Sequence, residues 1–368
     1  MYDYLIVGTG LFGAIFAREA TDAGFKCLVL DKRSHVGGNC YTKKIGSIDV
    51  HEYGPHIFHT SSQRVWDYMN RWTEFNHFVY RPKVINLNTL YSFPINLFTL
   101  YQLWGVKTPT EARSKLQSVQ IKNDNPSNLE EWILSQVGHE IYQKFIYGYT
   151  KKQWGKDPKE LPASIIKRLP IRLTMDDNYF EDIYQGIPKD GYTTIFNKLL
   201  NGIEIKLNTD YLTDKQYWDS LAKKVVYTGA IDEFFDYDMG QLEWRSLRFE
   251  HETHDIDDYQ GNAAVNYTDE TVPYTRIVEH KHFTFSKDPF TVITKEYPQK
   301  WDTTKEKFYP VNDQTNNELY KKYKERIDES KYIFGGRLAD YKYYDMHQVV
   351  GSALSRVQKE IDYAKSLL

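Results

Sequence analysis

The sequence predicts an α/β protein in which a parallel sheet, assembled from separated segments, is interrupted by a helical piece and an antiparallel sheet. Three observations predict it. An apolar strand at Leu5-Ile6-Val7 runs directly into Gly8-Thr9-Gly10-Leu11-Phe12-Gly13 and a helix. A second apolar strand, Cys27-Leu28-Val29-Leu30, follows that helix. Far along the chain, Tyr332-Ile333-Phe334 is another apolar run that stops at paired glycines, Gly335-Gly336, as a buried parallel strand does.

The first glycines have separate tasks. Gly8 permits the tight turn, Gly10 lets the backbone approach a pyrophosphate, and Gly13 lets helix and strand pack closely, with phosphates on the helix N-terminus. The helix is expected over residues 14–23. The strand after it delivers Asp31, 18 residues beyond Gly13, within reach of a ribose hydroxyl. Strand, helix and acid together identify a dinucleotide pocket. Gly37-Gly38-Asn39 then follows, which resembles the FAD form of this fingerprint more than the NAD form.

A helix near 62–72 comes next, and the stretch Phe78 to Phe93 reads as a hairpin turning at Asn86 to Asn88. Ser127-Asn128-Leu129-Glu130 has capping-box form, and Leu129, Trp132, Ile133, Val137, Ile141 and Phe145 recur at helical spacing, mostly as a packing stripe. Short strands return at 203–208 and at Lys224-Val225-Val226-Tyr227-Thr228-Gly229. Residues 243–297 alternate as an antiparallel sheet would. The Tyr332 strand and a helix over 346–368 complete the first sheet. The predicted architecture is therefore a discontinuous FAD-binding Rossmann-like domain (1–77, 184–230 and 318–368), an inserted helical domain (97–160) and an antiparallel β-sheet domain (78–96, 161–183 and 231–317).

Composition narrows the class. The 47 basic and 50 acidic residues leave a net charge of −3, which gives no global attraction to nucleic acid or an anionic membrane. Cys27 and Cys40 have neither metal-ligand nor CxxC spacing, and no apolar run approaches the length of a membrane span. A reducing, cytoplasmic setting is expected, without membrane insertion. Aromatic residues make up 15%, with 30 tyrosines. Most belong to cores, yet tyrosine also suits a uracil face, a sugar face and a phosphate.

Several residues are candidates for chemistry. Lys167-Arg168-Leu169-Pro170 lies in a loop suited to closing over phosphates, and Arg276 in Val272-Pro273-Tyr274-Thr275-Arg276 offers a matching fork of donors. Trp154 fits a core, an interface or a sugar platform equally. His56 and His59 lack a ligand partner at zinc spacing, so no metal is expected. Arg337 follows the second glycine pair. Tyr343-Tyr344-Asp345-Met346 sits at the N-terminal edge of the last helix, where backbone N–H groups meet a cofactor.

Over nearly its whole length the chain resembles the bacterial UDP-galactopyranose mutase family. The shared stretches are Gly8 to Gly13, Tyr53-Gly54-Pro55-His56-Ile57-Phe58-His59-Thr60, Gly148-Tyr149-Thr150 with Gln153-Trp154-Gly155, Glu160-Leu161-Pro162-Ala163 with Lys167-Arg168-Leu169-Pro170, Asp177-Asn178-Tyr179-Phe180, Val272 to Arg276 and Tyr343 to Met346. The resemblance implies an isomerase that interconverts UDP-galactopyranose and UDP-galactofuranose through a covalent adduct between the sugar and N5 of reduced FAD, supplying galactofuranose for cell-surface polysaccharide. It implies Arg168 and Arg276 on the diphosphate, with Tyr179, Tyr309 and Tyr343 as hydroxyl partners. Phe145 and Tyr149 would stack the uridine, Trp154 would line the sugar pocket, and loop 160–171 would be a lid. For the cofactor it implies Gly8, Gly10, Phe12, Gly13, Asp31, Lys32, Gly38, Asn39, His56, Arg337, Tyr344, Asp345 and Met346. It also implies a homodimer. The competing readings are an FAD-dependent oxidoreductase of the amine-oxidase or desaturase type and a catalytically silent flavin or UDP-sugar binding protein.

Overall fold

The computed structural model describes residues 1–167 and 169–366. Its nucleotide-binding sheet has five parallel strands in the order Tyr332–Phe334, Ala222–Tyr227, Tyr2–Val7, Cys27–Leu30, Glu204–Lys206. Both faces are buried, so the strands are apolar throughout and their side chains alternate between two cores. Ile6 and Val29 pack with the helices Leu11–Asp22 and Met346–Ser366, whereas Leu5, Leu28 and Leu30 pack with Tyr227, Phe234 and Trp244 on the other side.

The second sheet has seven strands, in the order Tyr309–Pro310, Trp244–His254, Thr291–Lys300, Arg276–Glu279, Ala264–Tyr267, Lys83–Asn86, Thr89–Ser92. It departs from the expected purely antiparallel form at one place. Ala264–Tyr267 runs parallel to Lys83–Asn86, which is possible because the whole helical insertion lies between them in the chain. The predicted hairpin is the edge pair Lys83–Asn86 and Thr89–Ser92, turning at Leu87 and Asn88 in the left-handed region (φ 46° and 64°).

Helices Leu97–Trp104, Pro109–Val119, Leu129–Ile141 and Gly148–Trp154 form the insertion, around a core holding Leu116, Ile133, Val137 and Phe145. Two expectations shift here. The cap of the third helix is Asn128, not Ser127, with the Asn128 side chain accepting from the Glu131 N–H at 2.9 Å. The stripe from Leu129 to Phe145 is not one continuous helix: Gly138 breaks it at φ 75°, and Tyr142–Tyr147 is a π-helical turn. Among the described residues no helix is long and apolar enough to cross a membrane.

Candidate active site

One cavity of about 520 Å³ connects the two sheets and the insertion. Its first wall is the glycine turn. Gly8 adopts φ 104°, and a Cβ there would lie 2.1 Å from Thr228 Oγ1; at Gly13 it would lie 2.0 Å from the Gly8 carbonyl oxygen. Only glycine allows this approach of helix to strand. Among the described residues, nothing beyond its chain neighbours lies within 4 Å of a Cβ on Gly10, which leaves room for a phosphate at the helix N-terminus.

Phe12, Asp31, Lys32, Gly38, Asn39, His56, Arg337, Tyr344, Asp345 and Met346 line the same cavity. The Asp31 carboxylate already accepts from the Thr9 N–H at 2.8 Å, the Thr9 hydroxyl and the Arg33 N–H at 2.9 Å. These bonds orient it, and its remaining lone pairs are available to a ribose. Arg337 donates through Nη2 to the Phe308 carbonyl at 2.9 Å, while its buried Nε has no partner among the described residues.

The second wall carries Phe145, Tyr149, Trp154, Tyr179, Arg276, Tyr309 and Tyr343. Arg276 opens its strand directly opposite Glu296, and the two make a salt bridge in which Nε and Nη2 donate to Oε2 at 3.0 and 2.7 Å. Glu296 is 2% exposed and its Oε1 has no hydrogen-bond partner among the described residues. Tyr309 stacks on Tyr343 at 5.4 Å, with the Arg337 guanidinium 5.4 Å from the Tyr343 ring centre. Burial raises the phenol pKa values of Tyr149 and Tyr309, so both hydroxyls remain proton donors near neutrality. Arg168 lies outside the described residues. Its neighbours Leu161 and Leu169 are buried in the core of the insertion, which anchors the expected lid segment on both sides.

The histidine pair separates. His56 places Nδ1 2.8 Å from the Gly54 carbonyl; a carbonyl only accepts, so Nδ1 carries the proton and Nε2 is the acceptor. Burial, aided by the Arg337 and Arg276 charges, pushes the His56 pKa down to about 4, so the ring is neutral. His59 bonds Asp182 through Nδ1 and stacks on Phe180 at 3.6 Å. The fold also brings Asp345 and His347 to His59, a group with metal-ligand atom types drawn from distant parts of the chain.

Sequence reasoning passed over Glu296, Tyr80 and Asn266. Tyr80 and Asn266 line the cavity, and the buried Asn266 Oδ1 has no partner among the described residues. A charged residue inside the otherwise strand-like run 291–296 was the available signal for Glu296.

A parallel sheet with a glycine turn, facing a wall of one fixed guanidinium and several tyrosines, defines a Rossmann-type dinucleotide-binding protein with a second subsite for an anionic ligand. A family model described as UDP-galactopyranose mutase matches residues 144–343, and one described as an NAD(P)-binding Rossmann-like domain matches residues 6–72. A dTDP-fucopyranose mutase of Escherichia coli is 42% identical, over 97% of this chain and 98% of its own. A probable UDP-galactopyranose mutase of Klebsiella pneumoniae is 39% identical, over 95% and 92%. The crystal structure of a reduced UDP-galactopyranose mutase superposes with a TM-score of 0.74, covering 100% of this chain and 96% of that one at 14% identity, a likeness of fold. The chain belongs to the UDP-galactopyranose mutase family.

Proposed function

We propose that the protein interconverts UDP-galactopyranose and UDP-galactofuranose, with FAD as its cofactor in the reduced state. The observation that carries this reading is the continuity of one cavity from Gly10 to Arg276, which lets a dinucleotide and a nucleotide sugar meet. The residues present fit FAD: the open approach over Gly10, the oriented Asp31 and the unpartnered Arg337 Nε are what a pyrophosphate and its ribose require. When bound and reduced, FAD supplies an electron-rich nitrogen able to displace the nucleotide from the anomeric carbon.

The protein's own residues do the rest. Arg276, oriented by Glu296, and Arg168 offset the charge that grows on the departing diphosphate, where fixed donors matter most. The hydroxyls of Tyr179, Tyr309 and Tyr343 donate to the same oxygens. Phe145 and Tyr149 present ring faces to the base, Trp154 bounds the sugar, and neutral His56 offers Nε2 as an acceptor beside the cofactor. Because substrate and product are isomers at the same oxidation level, turnover itself consumes no nicotinamide reductant. The reading carries with it a cytoplasmic homodimer that supplies galactofuranose for surface polysaccharide, and a chain divided as 1–77, 184–230 and 318–368 around the helical and sheet insertions.

A second reading is favoured by the 42% identity to the dTDP-fucopyranose mutase: the same chemistry on a thymidine-linked 6-deoxyhexose. Chromatography of the dithionite-reduced enzyme with UDP-galactofuranose and, in parallel, dTDP-fucofuranose separates the two. Preferential conversion of the UDP sugar, abolished when the enzyme is oxidised, is the expected result. Equal turnover by oxidised and reduced enzyme would end the reading of FAD as nucleophile.

A further inference from the structure

Lys152 is an unusual cation. It lies on the helix Gly148–Trp154, between the cavity residues Tyr149 and Trp154, but its own side chain turns the other way. Its Nζ lies within hydrogen-bond distance of four backbone carbonyls, which share its three N–H donors: those of Tyr267 at 2.9 Å, Asp269 at 2.8 Å, Val272 at 3.0 Å and Tyr274 at 3.0 Å. Tyr267 ends the strand Ala264–Tyr267, and the other three belong to the connection from it to the strand Arg276–Glu279. The nearby acids are engaged elsewhere. Asp269 accepts from the Thr271 N–H and hydroxyl, and Glu270 pairs with Lys151 at 2.8 Å.

The connection matters because it ends at Arg276, two residues after the Tyr274 carbonyl. Four carbonyl oxygens converging on one point repel one another unless a cation sits between them. Removing the ammonium therefore opens the loop and shifts the start of the Arg276 strand. The same turn of the helix is fixed from a second side, since Arg245 donates to the Gln153 carbonyl at 2.8 Å and the Lys152 carbonyl at 3.2 Å. Lys152 thus ties the wall bearing Tyr149 and Trp154 to the strand bearing Arg276. Burial lowers its pKa to about 8, opposed by the nearby Asp269 and Glu270 charges, while the direct contacts of the ammonium are the carbonyl oxygens.

We propose that Lys152 is a positioning residue: its ammonium, caged by the carbonyls of residues 267, 269, 272 and 274, sets Arg276 against the Tyr149–Trp154 wall, and a free monovalent cation can take its place. The inference rests on the mutase reading for its activity readout. The cage is neutral and built of carbonyl oxygens, the ligand set that replaces the hydration shell of potassium.

The test uses the FAD-loaded enzyme. Lys152→Met, which keeps the stem and removes the charge, is expected to lower kcat about tenfold or more with a smaller change in KM, as a displaced guanidinium would, at unchanged FAD content. Lys152→Ala is expected to show the same loss and to regain part of it in potassium or ammonium chloride, but not in tetramethylammonium chloride of equal ionic strength. UDP affinity of the oxidised enzyme, measured by calorimetry, should follow the same pattern, and Lys151→Met should change neither quantity. Wild-type kcat and UDP affinity in Lys152→Met, a deficit in Lys152→Ala that no cation relieves, or failure of both variants to fold would overturn the proposal. If the wild-type enzyme turns over neither sugar while the cation-dependent UDP affinity holds, the mutase reading fails and the positioning role stands.

Discussion

Arg276 spends two of its donors on a single oxygen of Glu296 and a third on the Tyr80 hydroxyl at 3.4 Å, which leaves its remaining N–H groups for a ligand and, among the described residues, the other carboxylate oxygen bare in a buried place. Replacing Arg276 with Ala therefore has two separable effects. Turnover should fall by more than tenfold, since one well-placed donor to a developing charge is worth roughly 2–4 kcal/mol, while FAD remains bound. Stability should fall as well, because a buried carboxylate stripped of its partner costs roughly 3–5 kcal/mol. Adding Glu296→Gln to Arg276→Ala should restore much of the melting temperature and none of the activity; a double variant that regained turnover would remove Arg276 from the diphosphate. At this scale the sequence exposes residue types and hides partnerships. Arg276 stands out by its chemistry and Asp31 by its distance from Gly13. Glu296 does not, because its meeting with Arg276 depends on the register of two strands that the chain separates by a turn and a short helix.

At the scale of elements, periodicity finds the helices and misses how they end. The stripe Leu129 to Phe145 is apolar at helical spacing, and every one of those side chains but Trp132 is buried, so the pattern is real. It persists through a break because a glycine in the left-handed region followed by a π-helical turn keeps the same face inward. The break itself is legible only as Gly138, whose missing side chain leaves room for the preceding helix: a Cβ there would sit 2.4 Å from the Val119 carbonyl oxygen. Gly138→Ala should accordingly cost roughly 2 kcal/mol or more, strain and overpacking combined, read as a lower urea midpoint with weakened UDP binding and unchanged FAD content. A variant as stable as the wild type would mean that the insertion relaxes freely around this joint. The strands were easier to place, because both faces of the nucleotide-binding sheet are buried and near-continuous apolar runs are what such strands require.

At the scale of the whole molecule, the order of lobes is readable from motif spacing, but the contacts that lock them are not. A chain of histidines links the strand Ile48–His51 to the large sheet. The His56 N–H donates to His51 Nδ1 at 3.0 Å, the His51 N–H donates to His280 Nδ1 at 3.2 Å, and His280 Nε2 meets the Thr294 hydroxyl at 2.6 Å. Burial lowers the pKa of His51, and brings His56 to about 4 and His280 to about 3. The unfolded chain, with histidines near pH 6.5, binds more protons than the native one below that value. Stability is therefore full above about pH 6.5 and declines as pH falls toward 4, by roughly 2 kcal/mol between pH 7 and 5 for each of His56 and His280. Urea unfolding at those two pH values checks this, and His280→Asn should flatten the dependence; an unchanged midpoint would show that these rings are charged in the native state. The interleaving of the sheets has a temporal side too. The glycine turn is made long before Arg337, Tyr344, Asp345 and Met346, yet these close the same cavity and the Tyr332–Phe334 strand borders its sheet. On the ribosome, the nascent protein must wait for those late segments before it can capture its coenzyme, so its glycine-turn lobe spends the intervening synthesis as an unfinished receptacle.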